Sequence, residues 1–389
     1  MKQFIALVGA DIVTPFRIIK KSAIVIEDNL IYEMGKMSDV RIPDNTDIID
    51  VSGHTITPGF VDLLVHGGAG GRGFSDENEE SIRLISEYFI QYGTTSMLAS
   101  LHAKPHDRLI ADIKLLAEYI EKNPDTNIRG IHLEGPYLNP ILKGAMNESY
   151  LWKPTVESWY DMWNASKGHI KLMTIAPELP GAIDVIREAT RCGVVISIGH
   201  SMATYEDCEH AIDNGAAHVT HMFNAMRPFE HRKPGIILAA LLRDELKIEL
   251  IADTYHVHPA TMEMLYRFKK ANGIILITDS IRAGGMHEGE TEFSDQKVIV
   301  KNEMALLEDG TLAGSTLTLN KAIRNMVEEV GAKLTDAVRM ASLNGAKVIG
   351  IKRGILQAGK VADLVVMDKQ YNVLMTIING KIRYKKIAN

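Results

Sequence analysis

Cysteine is scarce: Cys192 and Cys208 are the two in 389 residues. Two thiols cannot build a disulfide framework, which excludes the small stapled secreted domains and points to a reduced, cytoplasmic setting. Long apolar runs are missing as well. The strongest, "GIILAALL" at 235–242, falls far short of the roughly 20 residues a spanning helix needs and reads as a buried helix, so no membrane partner is expected. The stretch "MKQFIALVGADIVTP" meets Asp11 before a secretory apolar core could be complete, so no signal peptide is expected. Blocks of like charge are absent, and the net charge of −6 leaves no basic stripe for a nucleic acid. A few local Arg and His residues would still suffice for a small anion.

What is present is a globular composition, 46% hydrophobic and 24% charged, on a chain long enough for one large domain and a smaller one. Both ends are rich in β-branched residues. "SAIVIEDNLIYEMG" predicts a hairpin turning at Asp28-Asn29, and "VLMTIINGKIRYK" one turning at Asn379-Gly380. Neither end has strands enough for an independent sheet, so residues 1–56 and 350–389 are expected to pair into one small β-sandwich domain.

Between them strands and helices alternate. Strands are predicted at 59–66, 94–100, 128–134, 170–178, 194–200, 218–223, 248–253 and 274–280, with helices such as "DRLIADIKLLAEYIEK" between them. Gly93, Gly193 and Gly273 stand where helix C-terminal caps are expected. Eight such units predict a (β/α)8 TIM-like barrel over 57–349; an open doubly wound sheet is the rival. A β-rich insertion is expected at about 281–315, followed by helices over "LNKAIRNMVEEVG" and "TDAVRMASLNGAKVIG".

Ionisable residues collect at the C-terminal ends of these strands: His66, His132 with Glu134, His200, His221, Asp253 with His256, and Asp279. That rim is where barrels build active sites. A single strand-end histidine is most often structural, but six strands ending this way form a pattern. Imidazole and carboxylate ligate catalytic divalent ions. Glu134, His200 and His221, from three strands, could converge on one ion, and Asp279 is suited to shuttle a proton beside it.

Read together and in order, "PGFVDLLVHG", "GIHLEGPYLNP", "IGHS", "THMFNAM", "IADTYHVHP", "ITDS" and "GTLAGSTLT" resemble the N-acetylglucosamine-6-phosphate deacetylases of the amidohydrolase superfamily over essentially the whole chain. The resemblance implies hydrolysis of an N-acetylhexosamine 6-phosphate to the amino sugar phosphate and acetate. It implies one divalent ion per subunit, Zn2+ or Fe2+ ahead of Co2+ or Mn2+, held by Glu134, His200 and His221, with Asp279 as acid/base. It implies substrate contacts from Ala145, Met146, Asn224, Ala225 and His256, and a closing loop at Leu312, Ala313 and Gly314. It also implies a homodimer in which Arg232 reaches the neighbouring subunit's phosphate site.

Two positions depart from the pattern. Many amidohydrolases carry His-x-His at the first strand's end, whereas this chain reads Leu64-x-His66. Leucine cannot ligate, so a two-histidine second site is excluded; His66 is left either as a weak second-ion ligand or as a hydrogen-bonding group. Met146 stands where the family commonly has a polar residue, often histidine, which opens the galactosamine epimer as an alternative substrate. Another amidohydrolase acting on a different amide, and a non-catalytic barrel, are the remaining readings. His102, His106, His169, His210, His218, His231, His258 and His287 are read as surface or satisfied core residues, and His132 as a support to its neighbours.

Overall fold

The computed structural model describes residues 4–386; the outermost three residues of each end of the expected terminal domain lie outside them. The chain divides into two compact units. Residues 4–62, 87–96 and 318–386 form one; Leu63–Ser86 and Met97–Leu317 form the other.

In the first unit a four-stranded sheet runs Leu30–Lys36, Ser22–Glu27, Phe4–Val8, Asp47–Asp50, and a six-stranded sheet runs Lys381–Lys385, Val373–Ile378, Leu364–Met367, Thr55–Pro58, Asp11–Val13, Ile18–Ile19. They share one apolar core: Leu7, Ile24 and Ile26 of the first sheet meet Ile12, Ile56, Leu364, Val366 and Ile377 of the second. Strand alternation explains the choice, since Ala23 and Val25 between them face a separate cluster with Ala6 and Val8. The two hairpins turn where left-handed residues are tolerated, at Asp28 (φ 52°) and at Asn379-Gly380 (φ 52° and 73°). Helices Leu319–Glu328, Leu334–Ala341 and Leu343–Val348 belong to this unit. The last two were expected as one helix. The break falls at Ser342 (φ −136°, ψ −81°), whose hydroxyl donates to the Val338 carbonyl and competes with the helical ladder.

Eight parallel strands make the barrel sheet: Phe60–Val65, Thr94–His102, Ile128–Glu134, Ile170–Ile175, Val195–Ile198, Ala216–Val219, Lys247–Ile251 and Ile274–Ile277, each beside its sequence neighbour. The sheet closes on itself. The Asp279 amide donates to Leu64 O at 2.9 Å, the His66 amide donates to Ser280 O at 2.8 Å, and Val65 bridges Ser280 in parallel. The fold is a (β/α)8 barrel, and the open-sheet rival falls with that closure. Several strands end earlier than expected: His200, His221, Asp253 and Asp279 stand just past strands that end at Ile198, Val219, Ile251 and Ile277. Gly93 and Gly193 adopt the left-handed capping conformation, whereas Gly273 does not, and the span Pro259–Gly273 is instead kinked at Lys270 (φ 53°, ψ 176°).

The insertion after the eighth strand is an antiparallel sheet of Gly289–Phe293, Gln296–Lys301 and Met304–Leu307. Its tip is tied to the 145–150 segment. Gln296 Nε2 donates to Ala145 O at 2.6 Å, the Asn147 amide donates to Ser294 Oγ at 3.0 Å, and Tyr150 hydroxyl donates to Asp295.

Asp363, buried in the first unit, carries the Arg353 guanidinium, accepts the Asn379 amide at 2.8 Å and offers its own carbonyl to Gly59 N at 3.0 Å. Asp363→Ala removes the buried carboxylate from a half-buried guanidinium that keeps its bond to Asn379 Oδ1, and is expected to cost about 1–3 kcal/mol, read as a lowered denaturation midpoint with an unchanged slope.

Candidate active site

Glu134 is the last residue of the third barrel strand, so its side chain enters the rim without any turn. His200, His221 and Asp279 enter differently. Each has a left-handed backbone (φ 48°, 27° and 51°), a conformation that costs a non-glycine residue on the order of 1–3 kcal/mol and swings its side chain off the ladder. The loop after His200 is pinned by Glu178, whose carboxylate accepts Asn139 Nδ2 at 2.9 Å, Ser201 Oγ at 2.6 Å and the Met202 amide at 2.6 Å. Behind Asp279, the Ser315 amide donates to the Asp279 carbonyl at 2.8 Å. Gly314 sits at φ 66°, where a Cβ would come within 2.9 Å of that same carbonyl, so only glycine lets the 312–315 loop lie so close.

The result is a triangle of donor atoms. Glu134 Oε1 lies 3.0 Å from His221 Nε2 and 3.3 Å from His200 Nε2, and the two imidazole nitrogens are 3.0 Å apart. All three residues are buried. Donors bound tetrahedrally at about 2.0–2.1 Å are separated by roughly 3.3–3.4 Å, so the spacing fits one divalent ion. Two nitrogens face each other across 3.0 Å, and a cation between them is the chemistry this donor set suits. His200 Nδ1 donates to Leu142 O at 2.7 Å, which leaves its Nε2 lone pair for an ion.

The electrostatics follow from burial and crowding. Burial alone would push Glu134 up, but hydrogen bonds from His200, His221 and His66 outweigh it and hold the carboxyl well below its usual range. Burial opposes charge on His221, yet the hydrogen bond and negative charge of Glu134 raise it to about 9. Asp279 is raised to about 6, first by burial and then by the nearby Glu134 charge, against the pull of His66, His221 and His256. A carboxyl poised there can accept and return a proton near neutrality.

Most of the expected site converges. Glu134, Ala145, Met146, His200, His221, Asn224, Ala225, His256, Asp279, Leu312 and Gly314 line one cavity of about 440 Å³. His256 is oriented by Asp253, which accepts its Nδ1 at 2.6 Å. Ala313 is buried behind this wall, in an apolar cluster with Met146 and Phe293. Arg232 is not brought to the cavity of its own chain; it is exposed, with its amide on Glu230. His66 sits at the back, its Nε2 3.0 Å from Glu134 Oε2 and 3.7 Å from Asp279 Oδ1, and its Nδ1 3.2 Å from Ser100 O. In this position it is a hydrogen-bonding partner of Glu134 and lies within ion-pair range, but not hydrogen-bond range, of Asp279.

Three wall residues, Lys143, Thr311 and Phe293, carried no legible signal. Lys143 and Thr311 line the cavity from irregular segments. Phe293, from the insertion, lines it too and also lines a second cavity of about 440 Å³. His102, grouped above with the histidines lacking a role, lies in that second wall, 4.6 Å from the Phe293 ring, and burial pushes it down to about 3. A strand-end histidine on the second strand was the one clue available for it.

Because the His221 imidazolium must lose its proton before Nε2 can ligate, apparent metal affinity is expected to rise with pH, about tenfold per unit up to pH ~9, and then flatten. Chelator competition at several pH values, with proton release measured calorimetrically, checks this.

The comparisons agree with the geometry. The amidohydrolase family model matches residues 55–383. The N-acetylglucosamine-6-phosphate deacetylase of Lysinibacillus sphaericus is 38% identical over 340 residues, covering 87% of this chain and 87% of that protein. The N-acetylgalactosamine-6-phosphate deacetylase of Escherichia coli O157:H7 is 32% identical over 330 residues, covering 84% of this chain and 87% of that protein. Among solved structures, a mutant of the Mycobacterium smegmatis N-acetyl-D-glucosamine-6-phosphate deacetylase in complex with N-acetyl-D-glucosamine-6-phosphate superposes with a TM-score of 0.93 at 30% identity, covering 98% of this chain and 99% of that one. With its closed barrel, its rim of imidazole and carboxylate and this span of similarity, the chain belongs to the amidohydrolase family.

Proposed function

We propose that this chain hydrolyses the acetamide of N-acetyl-D-glucosamine 6-phosphate, releasing D-glucosamine 6-phosphate and acetate. The observation that carries the reading is the buried donor triangle of Glu134, His200 and His221 opening into the same cavity as Asp279, in a chain whose relatives bear that activity in their names. The ion in this reading is Zn2+ or Fe2+, with Co2+ or Mn2+ as substitutes. When bound, it supplies a Lewis acid that polarises the amide carbonyl and acidifies water.

The chain's own groups do the rest. Asp279, poised near pH 6, takes one proton from the attacking water and delivers it to the leaving nitrogen. The water oxygen bonds the acetyl carbon, the C–N bond breaks, and the nitrogen leaves as an amine. His66 steadies Glu134 through a hydrogen bond to Oε2 and stands 3.7 Å from Asp279 Oδ1. In the same cavity, Asn224 and Ala225 are read as contacts near the phosphate, His256 as a further substrate contact, and Leu312 and Gly314 as closing over the sugar. Exposed Arg232 is assigned to the phosphate site of a second copy in a homodimer. The two unpaired cysteines support a cytoplasmic setting, and no described helix is long and apolar enough to cross a membrane.

Met146 favours a second reading. It is buried in the cavity wall among apolar neighbours and offers a sugar hydroxyl no hydrogen bond, so the N-acetylgalactosamine epimer is the alternative substrate.

Acetate release from both 6-phosphate epimers, with metal-depleted and reconstituted protein, is the deciding assay. Turnover is expected with the ion restored, and the glucosamine epimer is expected to lead. Asp279→Asn should keep its metal and lose about 10²–10⁴-fold in kcat. Unchanged turnover in that variant removes the acid/base assignment; no acetate from either epimer removes the reading itself.

A further inference from the structure

Two ion-holding imidazoles in the site are steadied differently. His200 has the ordinary arrangement, its Nδ1 bonded to Leu142 O at 2.7 Å. His221 does not: its Nδ1 is buried and has no hydrogen-bond partner among the described residues. A ligating histidine whose second nitrogen is unheld has to be oriented through its backbone. That backbone is in the strained left-handed region, at φ 27°.

Glu249, in the seventh barrel strand, holds it. Its carboxylate Oε2 accepts the His221 amide at 3.3 Å, and its main-chain carbonyl accepts the Met222 amide at 2.9 Å. The other carboxylate oxygen is taken by His218 Nε2 at 3.0 Å, and both partners of that pair are fully buried. A carboxylate in the barrel interior needs such a partner, because desolvation otherwise disfavours it strongly. On the other side of the same segment, Thr220 Oγ1 is hydrogen-bonded to Thr174 Oγ1 at 2.7 Å and to Ser197 Oγ at 2.6 Å. Residues 218–222 are therefore gripped from both flanking strands.

We propose that the buried His218–Glu249 pair is a positioning device that holds the strained His221 backbone and so aims its imidazole at the ion. The inference rests on the reading of Glu134, His200 and His221 as the ion-holding group. Glu249 and His218 touch neither ion nor substrate; they act through His221.

The test must separate positioning from mere packing. Removing one partner of a buried pair destabilises any protein, whereas replacing both with apolar groups of similar size is often neutral. The double variant H218L/E249M is therefore expected to regain thermal stability that H218L alone loses, while its Zn2+ affinity, measured by chelator competition, stays weakened by about 10–100-fold. The visible absorption of bound Co2+ is expected to change in shape, reporting an altered ligand geometry. E249Q, which keeps the size but cannot accept from both donors at once, is expected to weaken Zn2+ binding as well and serves if the double variant does not fold. Wild-type Zn2+ affinity and an unchanged Co2+ spectrum in either folded variant overturn the proposal. A wild-type protein that binds neither ion overturns the site reading instead, so the two failures are distinct.

Discussion

The Glu134 carboxylate, shared by three imidazoles from different parts of the chain, is the interaction on which the rest depends. His200 and His221 meet one oxygen and His66 meets the other. A buried carboxylate without such partners would be protonated or would unfold its surroundings. The partners arrive only if the barrel closes, because the first strand must lie next to the eighth for His66 to face Glu134 and Asp279 together. The hydrogen bonds between residues 64–66 and 278–280 are thus part of the site as much as of the fold.

Strain is concentrated where the chemistry is. His200, His221 and Asp279 all leave their strands through left-handed residues, and each is held by a separate device: Glu178 behind the His200 loop, Glu249 beside His221, the Ser315 amide on the Asp279 carbonyl. None of these supports lines the cavity. Each restrains a backbone that would relax into an ordinary conformation if released, and each therefore converts packing energy into ligand geometry.

The insertion adds a different constraint. Its tip, tied to residues 145–150, presses Phe293 between the two cavities and brings Ala145 and Met146 into the wall of the first. Met146 thus belongs to an apolar cluster with Leu138, Ile281 and Phe293. The methionine that departs from the family expectation fits its own apolar surroundings, and it gives that part of the cavity a surface of shape more than of hydrogen bonds.

The sequence alone determined the alternation of strands and helices, the hairpins at Asp28-Asn29 and Asn379-Gly380, and the collection of ionisable residues at one rim. These are local signals: hydrophobic period, turn chemistry and glycine position act over a few residues. It also determined that Leu64 cannot ligate, which is a property of the side chain itself. Only the tertiary structure decided that His66 reaches Glu134 and Asp279 at once, that Phe293 and Lys143 line the cavity, that His218 is paired with Glu249, and that Arg232 stays away from its own chain's site. Those facts depend on which distant segments touch. A pattern of residues along a strand carries its face but not the identity of what that face meets, and contact across hundreds of residues is written only in the closed barrel.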